Sequence, residues 1–567
     1  MNRLTMPPKL TSNLRCLALL MTAPLASGCL EHPIKEVKYD GSIEKDAVVT
    51  VYQSRDVDVL FVIDNSGSMA EEQANLAKNF GAFVGALEAV NANYRVAVVT
   101  TDNGDPRDPK SRYEGGVFQL KSCRDRLSSD GISGGDFIFD DFNAEFACTD
   151  HCALPSEALE IVPTTIGIGD EVAAPRAWIE SYSGKTNLAG EVSAAEAFAC
   201  FGPQGVTGSG YEAPLEAMHR AIVGSGEAKS PNFGFLRDDA HLVVVFITDE
   251  VDCSFNPEHV DIFRTNKTFW SDPAAPTSAV CWNAGVQCSQ SGEDYGSCHA
   301  VDYDAKGAAG AEAAEAVLFP LDRYYDLLAE VRAAKQARNS NLQVVVSAIA
   351  GVPQGYEDGG VTIPYGASSD PNDQKLFGVA PGCSAGLDDA DPSNDSVARP
   401  PVRLRELAEA FQIGEAPGTY SICQDDYTGA LRSIAEAIAE KIRPGCVTTC
   451  VEDQAPETAI LDPLCVVDEV FAEVDREPTR LGACAAIDGA WAVPEGASAC
   501  YVMRTDSMGL TPSKLDDMTV GAEFESCAEQ GWNLEIEVLR ASPARSGSSI
   551  RAICQQAERS ACPNAPL

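Results

Sequence analysis

Apolar and polar positions alternate in long blocks along this chain. Val59 to Ile63 form an unbroken apolar run inside VDVLFVIDNSGSM, residues 57–69, long enough for one strand buried on both faces. Residues 69–90 then show helical spacing, with Leu76, Phe80, Phe83, Val84 and Leu87 on one face. YRVAVVTTD (94–102) predicts a second buried strand, and GGVFQL (115–120) a short strand closing a hairpin. The rhythm resumes with a helix at 211–223 and the strand HLVVVFITDE at 241–250. A helix at 320–338, a strand at 342–351, a helix at 403–411, the short strand TYSIC at 419–423 and a final helix at 426–443 complete it. Strands alternating with amphipathic helices predict an α/β domain with a doubly wound, mainly parallel sheet covered on both faces.

Two stretches break the alternation, at about 121–205 and 253–310. Both are loop-rich and each carries four cysteines: Cys123, Cys148, Cys152 and Cys200 in the first, Cys253, Cys281, Cys288 and Cys298 in the second. They are expected to be disulfide-stapled insertions. After Pro444-Gly445 the composition changes again, and eight cysteines fall in 446–567. That region is expected to be a small β-rich, cysteine-rich module. Within it, Leu534, Ile536 and Val538 alternate with Glu535 and Glu537, the pattern of a half-exposed strand. Eight cysteines allow 105 pairings and the spacing does not choose among them.

The first residues change the picture of where the chain works. Arg3, Lys9 and Arg15 precede a short apolar run, CLALLMTAPLA, too short to span a bilayer. Ala26-Ser27-Gly28-Cys29 follows and resembles a bacterial lipobox, with Ala26 where leucine is commonest. The resemblance implies a signal peptide over 1–28 and lipidation of Cys29. An ordinary secretory signal is the alternative. Residues 29–56 are then a lipid anchor and tether with one short strand, AVVTVY, and 57–445 the α/β domain. By analogy with bacterial lipoproteins, in which an aspartate after the lipid cysteine marks inner-membrane retention, Leu30 there implies the outer membrane, periplasmic or surface-facing. Export to an oxidising compartment makes disulfides the expected state of the remaining cysteines. A zinc site at Cys148-Thr-Asp-His151-Cys152 is the competing reading, and its spacing is off the usual patterns. The formal charge of −42 over 567 residues argues against nucleic acid as a partner.

The candidate chemistry lies at the strand ends, where parallel α/β sheets gather ligands. Asp64, Asp102 and Asp249 each end a predicted strand, and Ser66 and Ser68 follow the first at alternate positions. Carboxylate with two hydroxyls is an all-oxygen set suited to Mg²⁺, Mn²⁺ or Ca²⁺. Asp64-x-Ser66-x-Ser68 after a buried strand, with FITDE later, resembles the metal-ion-dependent adhesion site of von Willebrand factor A-type (VWA) domains, a Rossmann-like fold. The resemblance implies that Ser66 and Ser68 bind a divalent cation, Mg²⁺ first. Asp64 and Asp249 would act directly or through water, and a partner's carboxylate would complete the shell. The family's further threonine falls at or near Glu212, with Thr207 and Ser209 a few residues upstream. A glutamate there would cancel more of the ion's charge, and Glu250 and Asp252 would push the same way. Asp64 and the serines would alternatively serve only to cap helix 69–90.

Other motifs lack their context. A dehalogenase-type aspartate would need a second aspartate where Ser66 stands. Gly131-Ile-Ser133-Gly-Gly135 has neither the strand before nor the helix after it that a hydrolase needs. Asp389, Asp391, Ser393 and Asp395 lack the glycine and glutamate of a calcium loop. No enzyme is therefore expected. The expected role is an exported, lipid-anchored binding, adhesion or scaffold protein whose partner is a protein or surface ligand. The alternatives are an exported enzyme or sensor with its site in the insertions or C-terminal module, and a structural envelope protein with a degenerate metal site.

Overall fold

The computed structural model describes residues 46–567 apart from 52–54, 109, 112, 129–134, 140–141, 168–171, 273, 386–395, 415–416, 443–444, 472–475, 488, 521–525, 546–547, 559–561 and 563–567. The signal segment, Cys29, the tether up to residue 45, Gly131 to Gly134 and the acidic loop from Asp389 to Asp395 lie outside the described residues.

The main elements, in chain order, are β1 (Asp46–Val51), β2 (Asp56–Ile63), α1 (Ala70–Ala89), β3 (Asn93–Thr100), β4 (Ile179–Tyr182), β5 (Lys185–Thr186), α2 (Ala194–Phe201), α3 (Pro214–Gly226) and β6 (His241–Ile247). They continue with α4 (Leu321–Arg338), β7 (Val344–Ala350), α5 (Val402–Ala410), β8 (Thr419–Ser421) and α6 (Thr428–Ala439). A seven-stranded mixed sheet runs in the order β8-β7-β6-β2-β3-β4-β5. Its first five strands are parallel, and β4 and β5 join antiparallel.

The alternation of side chains along a strand decides which layer each residue joins. Val57, Val59, Phe61 and Ile63 of β2 pack with Leu76, Phe80 and Phe83 of α1, Phe198 of α2 and Leu431 and Ile434 of α6. Leu60 and Val62 point the other way, to Leu215 and Met218 of α3, Tyr324 and Leu328 of α4 and Leu404 and Leu407 of α5. Both faces of the sheet are thus covered by helices, and β2, in the middle, is buried almost throughout. Asp58 on that strand is buried too, because Arg237 donates to both its oxygens from Nε and the backbone nitrogen, each at 2.7 Å.

The strand expected at 115–120 does not form. Gln119 N donates once, to Val98 O at 2.8 Å, and the outer edge of β3 is taken by β4 from the first insertion. A nearby hairpin was the simplest local partner; a more distant segment wins the edge because Trp178, Ile179 and Tyr182 bring buried apolar area with them.

The C-terminal region adds β9 (Cys465–Phe471), β10 (Thr479–Arg480), β11 (Gly482–Ala483), β12 (Ala499–Arg504), β13 (Glu535–Arg540) and β14 (Ser548–Gln555). One sheet has the order β1-β14-β9-β10 and the other β11-β12-β13. The strand expected in the tether is therefore a member of the C-terminal sheet, paired along its length with β14. The half-exposed pattern expected for β13 does not hold. Glu535 and Glu537 are as buried as the apolar residues between them. Glu535 accepts from Thr519 N and Oγ1 at 2.8 and 2.6 Å, and Glu537 is gripped by Arg504 at 2.6 Å and Arg55 at 2.8 Å.

The cysteines are paired within their own regions: 123–148 and 152–200 in the first insertion, 253–281 and 288–298 in the second, and 383–423 between them and the end of the α/β region. The C-terminal pairs are 446–527, 450–562, 465–554 and 484–500. Cys148 and Cys152 are thereby spent, and no zinc-binding thiolate remains at that motif. Among the described residues no helix is long and apolar enough to cross a membrane.

Candidate metal centre

Central strands β2 and β6 end side by side, and Asp64 N donates to Ile247 O at 2.9 Å. Both chains turn polar at the next residue, so Asp64 and Thr248 leave the sheet at one point. Asp64 is fully buried. Its Oδ1 accepts from Ser66 N at 2.8 Å and Thr101 Oγ1 at 3.3 Å, and its Oδ2 from Thr248 Oγ1 at 2.6 Å. Burial pushes its pKa above the usual carboxylate value, and these hydrogen bonds oppose the rise.

Ser66 Oγ and Ser68 Oγ lie 3.5 Å apart. Ser66 is buried and Ser68 is exposed, so the loop opens to solvent on one side. Ser68 also hydrogen-bonds Asp249, which lies two residues past β6 and is 4% exposed. Burial, with Asp64 second, raises Asp249 to about 7. Asp249 Oδ1 is buried and has no hydrogen-bond partner. The backbone behind it is pinned by Arg399 N, which donates to Asp249 O at 2.7 Å.

Glu212, 3% exposed, joins the same cluster. Burial and then Asp64, Glu250 and Asp249 hold its carboxyl well above the usual range. Glu250 is likewise raised, by burial and then Asp249, with Arg399 opposing. Asp252 is not part of it: it accepts from Ser254 Oγ at 2.6 Å and pairs with Arg403 at 2.9 Å, closing off the start of α3. Asp102 accepts from Gly104 N at 2.9 Å in its own turn. Ser209 donates to Gly104 O at 3.3 Å and Thr207 is exposed. The capping alternative also fails, because Met69 holds the N-cap of α1 and no side chain caps it.

Several residues of this cluster were invisible from the motif. Thr101 and Thr248 orient Asp64; their only sequence signal is the Thr before each strand-end acid. Gln73 Nε2 donates to Asp64 O and to Gly205 O, both at 2.8 Å, while its Oε1 accepts from Gln204 N at 2.8 Å, tying the first insertion's exit to the Asp64 loop. Gly208 N donates to Asn65 O at 2.8 Å, and a Cβ there would stand 2.2 Å from Asn65 Oδ1, so only glycine allows the approach. Glu72, in the first turn of α1, is buried and raised to about 8 by burial and by Asp249, with Ser396 Oγ donating to it at 2.8 Å.

The donor set is all oxygen, and Asp249 Oδ1, Glu250 Oε2 and Asn65 Oδ1 are buried without partners. So many carboxyls share one low-dielectric region that they repel one another unless protons or a cation offset their charge. These features suit a hard divalent cation. Among the described residues the one tight cluster of side-chain ligands drawn from His, Cys, Asp and Glu alone is Cys123, Cys148 and Cys152, whose sulfurs are all in disulfides.

No family model matches the chain, and no curated protein does. Among solved structures, the pilus adhesin SpaC from Lactobacillus rhamnosus GG in its open conformation matches at 10% identity with a TM-score of 0.25, over 90% of this chain and 40% of that one. A second form of the same adhesin gives 10% and 0.23 over the same shares. The chain spans about 40% of that adhesin's length. Likeness of this size carries no argument about fold or function.

Proposed function

We propose that residues 57–445 form a VWA-type domain and that its strand-end cluster holds a divalent cation, Mg²⁺ in the first place. Ser66 and Ser68 would contribute hydroxyls, with Asp64 and Asp249 as direct or water-mediated carboxylates and Glu212 in the remaining protein position. The observation that carries the reading is the meeting of Asp64 and Asp249 beneath an exposed Ser68, with Asp249 Oδ1 buried and unpartnered. Thr101 and Thr248 hold Asp64 fixed, and Arg399 holds the backbone of Asp249. A bound cation supplies positive charge at the mouth that attracts a partner's carboxylate. Glu212 weakens that attraction and makes the site a firmer holder of metal than a gripper of ligand.

The chain is on this reading an exported, lipid-anchored adhesion or scaffold protein rather than an enzyme, attached through Cys29 to the cell envelope. Its nine disulfides support an oxidising compartment. The test is calorimetric titration with Mg²⁺, Mn²⁺ and Ca²⁺ of the chain, of Ser66→Ala with Ser68→Ala, and of Glu212→Thr. Saturable binding that disappears in the serine double variant and changes in Glu212→Thr is expected. No binding in the parent chain would overturn the metal reading.

A further inference from the structure

We propose that a groove between the second insertion and residues 368–378 binds a neutral oligosaccharide. The groove has a volume of about 800 Å³, within the range of roughly 300–1,000 Å³ usual for small-ligand sites. Tyr295 and Tyr303, both half-buried, line it, with Trp270 and Trp282 behind them at only 7% and 4% exposure. The exposed side chains of Asn283, Gln287, Gln290 and Ser291 stand along the same groove.

The chemistry of the lining selects the ligand. A pyranose has apolar C–H faces and a rim of hydroxyls, each both donor and acceptor. The half-buried rings of Tyr295 and Tyr303 meet the first, and side-chain amides, which donate and accept together, meet the second. In a chain with 84 acidic residues, no carboxylate lines this groove among the described residues. Its one charged residue, Lys375, is already paired with Asp272. An acidic, phosphorylated or nucleic-acid ligand would find no free cation there, and a basic one no anion.

The floor is built in advance, which limits the ordering that binding would require. Gln374 Nε2 donates to Tyr295 Oη at 3.1 Å and Gly378 O at 2.7 Å, and its Oε1 accepts from Ser368 N at 2.6 Å. Trp270 Nε1 donates to Ile262 O at 2.8 Å. Asn283 Nδ2 donates to Phe269 O at 2.9 Å. Disulfides 253–281 and 288–298 staple the surrounding backbone.

Hydrogen bonds and an ion pair tie the segments around the groove to those around the proposed metal centre. Tyr211 Oη, next to Glu212, donates to Pro276 O at 3.1 Å, and Thr277 Oγ1 donates to Lys375 O at 2.8 Å. Arg399, whose backbone holds Asp249, pairs with Asp373 at 2.6 Å on the helix Pro371–Phe377. None of the groove's residues belongs to the cation set, so glycan binding does not require a cation.

The test uses the full chain with its disulfides formed. Its tryptophan fluorescence and binding heat are followed against chitotriose, cellotriose, maltotriose and a β-linked galactotriose, in EDTA and in Mg²⁺, with a proline decapeptide as the rival ligand. Saturable binding of at least one trisaccharide in both buffers is expected. Gln287→Ala with Gln290→Ala, both at exposed positions, should weaken it at least tenfold without moving thermal unfolding. If that pair does disturb folding, Asn283→Ala carries the same expectation. The proposal is overturned if no trisaccharide binds, if only the peptide binds, or if the variants bind as the parent does. Binding lost in EDTA yet intact in the variants would assign the sugar to the metal centre and also overturn it. Failure of the cation titration alone leaves glycan binding in EDTA standing, so the two readings fail separately.

Discussion

Removing divalent cations should make the stability of this protein fall as pH rises from 5 to 8, and adding Mg²⁺ should restore it. Asp249 stands at about 7 in the folded chain against an ordinary 3.8. A carboxyl raised on folding contributes stability that is fully present below its unfolded pKa and lost as pH rises through its folded one. The window for Asp249 therefore runs from about pH 4 to about pH 7. At about 1.4 kcal/mol per pKa unit, it costs about 4 kcal/mol by pH 8. Glu72, raised to about 8 by burial and by Asp249, carries the loss to still higher pH. A cation at one hundred times its Kd returns about 2.7 kcal/mol. The assay is thermal unfolding across pH 5–8.5 in EDTA and in excess Mg²⁺. The two curves should run close together at pH 5, where protons already neutralise the cluster, and separate by pH 8. Asp249→Asn should flatten the EDTA curve. An EDTA curve independent of pH, or a Mg²⁺ shift as large at pH 5 as at pH 8, would refute the electrostatic reasoning.

Asp58→Ala should destabilise the domain by about 3 kcal/mol, because it leaves the buried Arg237 guanidinium only the looser Asp56 carboxylate at 3.4 Å; denaturant titration reads the loss. Phe80→Ala, which empties the ring cluster with Phe61, Phe83 and Phe198, should cost about 3–5 kcal/mol in the same experiment. Gly351→Ala places a Cβ 2.0 Å from Arg399 O and must shift the backbone that holds Asp249. Cation affinity should fall in calorimetry although no proposed ligand is altered, and unchanged affinity would separate Arg399 from the centre.

How much was legible in advance differs between elements for physical reasons. The helix starting near residue 70 and the strands at 56–63 and 241–247 carry long periodic patterns, and periodicity is local. Asp64, Ser66 and Ser68 were visible because they sit within one loop. Thr101, Gln73 and Glu72 were not, since each acts on the cluster from a different element and carries no signature of its own. Glu535 and Glu537 misled for a related reason. A glutamate in an alternating strand normally faces water, and only the arrival of Arg504, Arg55 and Thr519 lets these two be buried.

By itself the sequence determined the alternation of strands and helices, the two cysteine-bearing interruptions and the change of composition after residue 445. All of these follow from local spacing and composition. Only the tertiary structure decided which segment takes the outer edge of β3, which cysteines pair, and that β1 completes a sheet with β14 from the far end of the chain. It alone brought Glu72, Glu212 and Asp249 into one buried cluster. Edge pairing and charge clustering depend on which surfaces remain when distant segments collapse together, and nothing in the spacing of neighbours encodes that outcome in readable form.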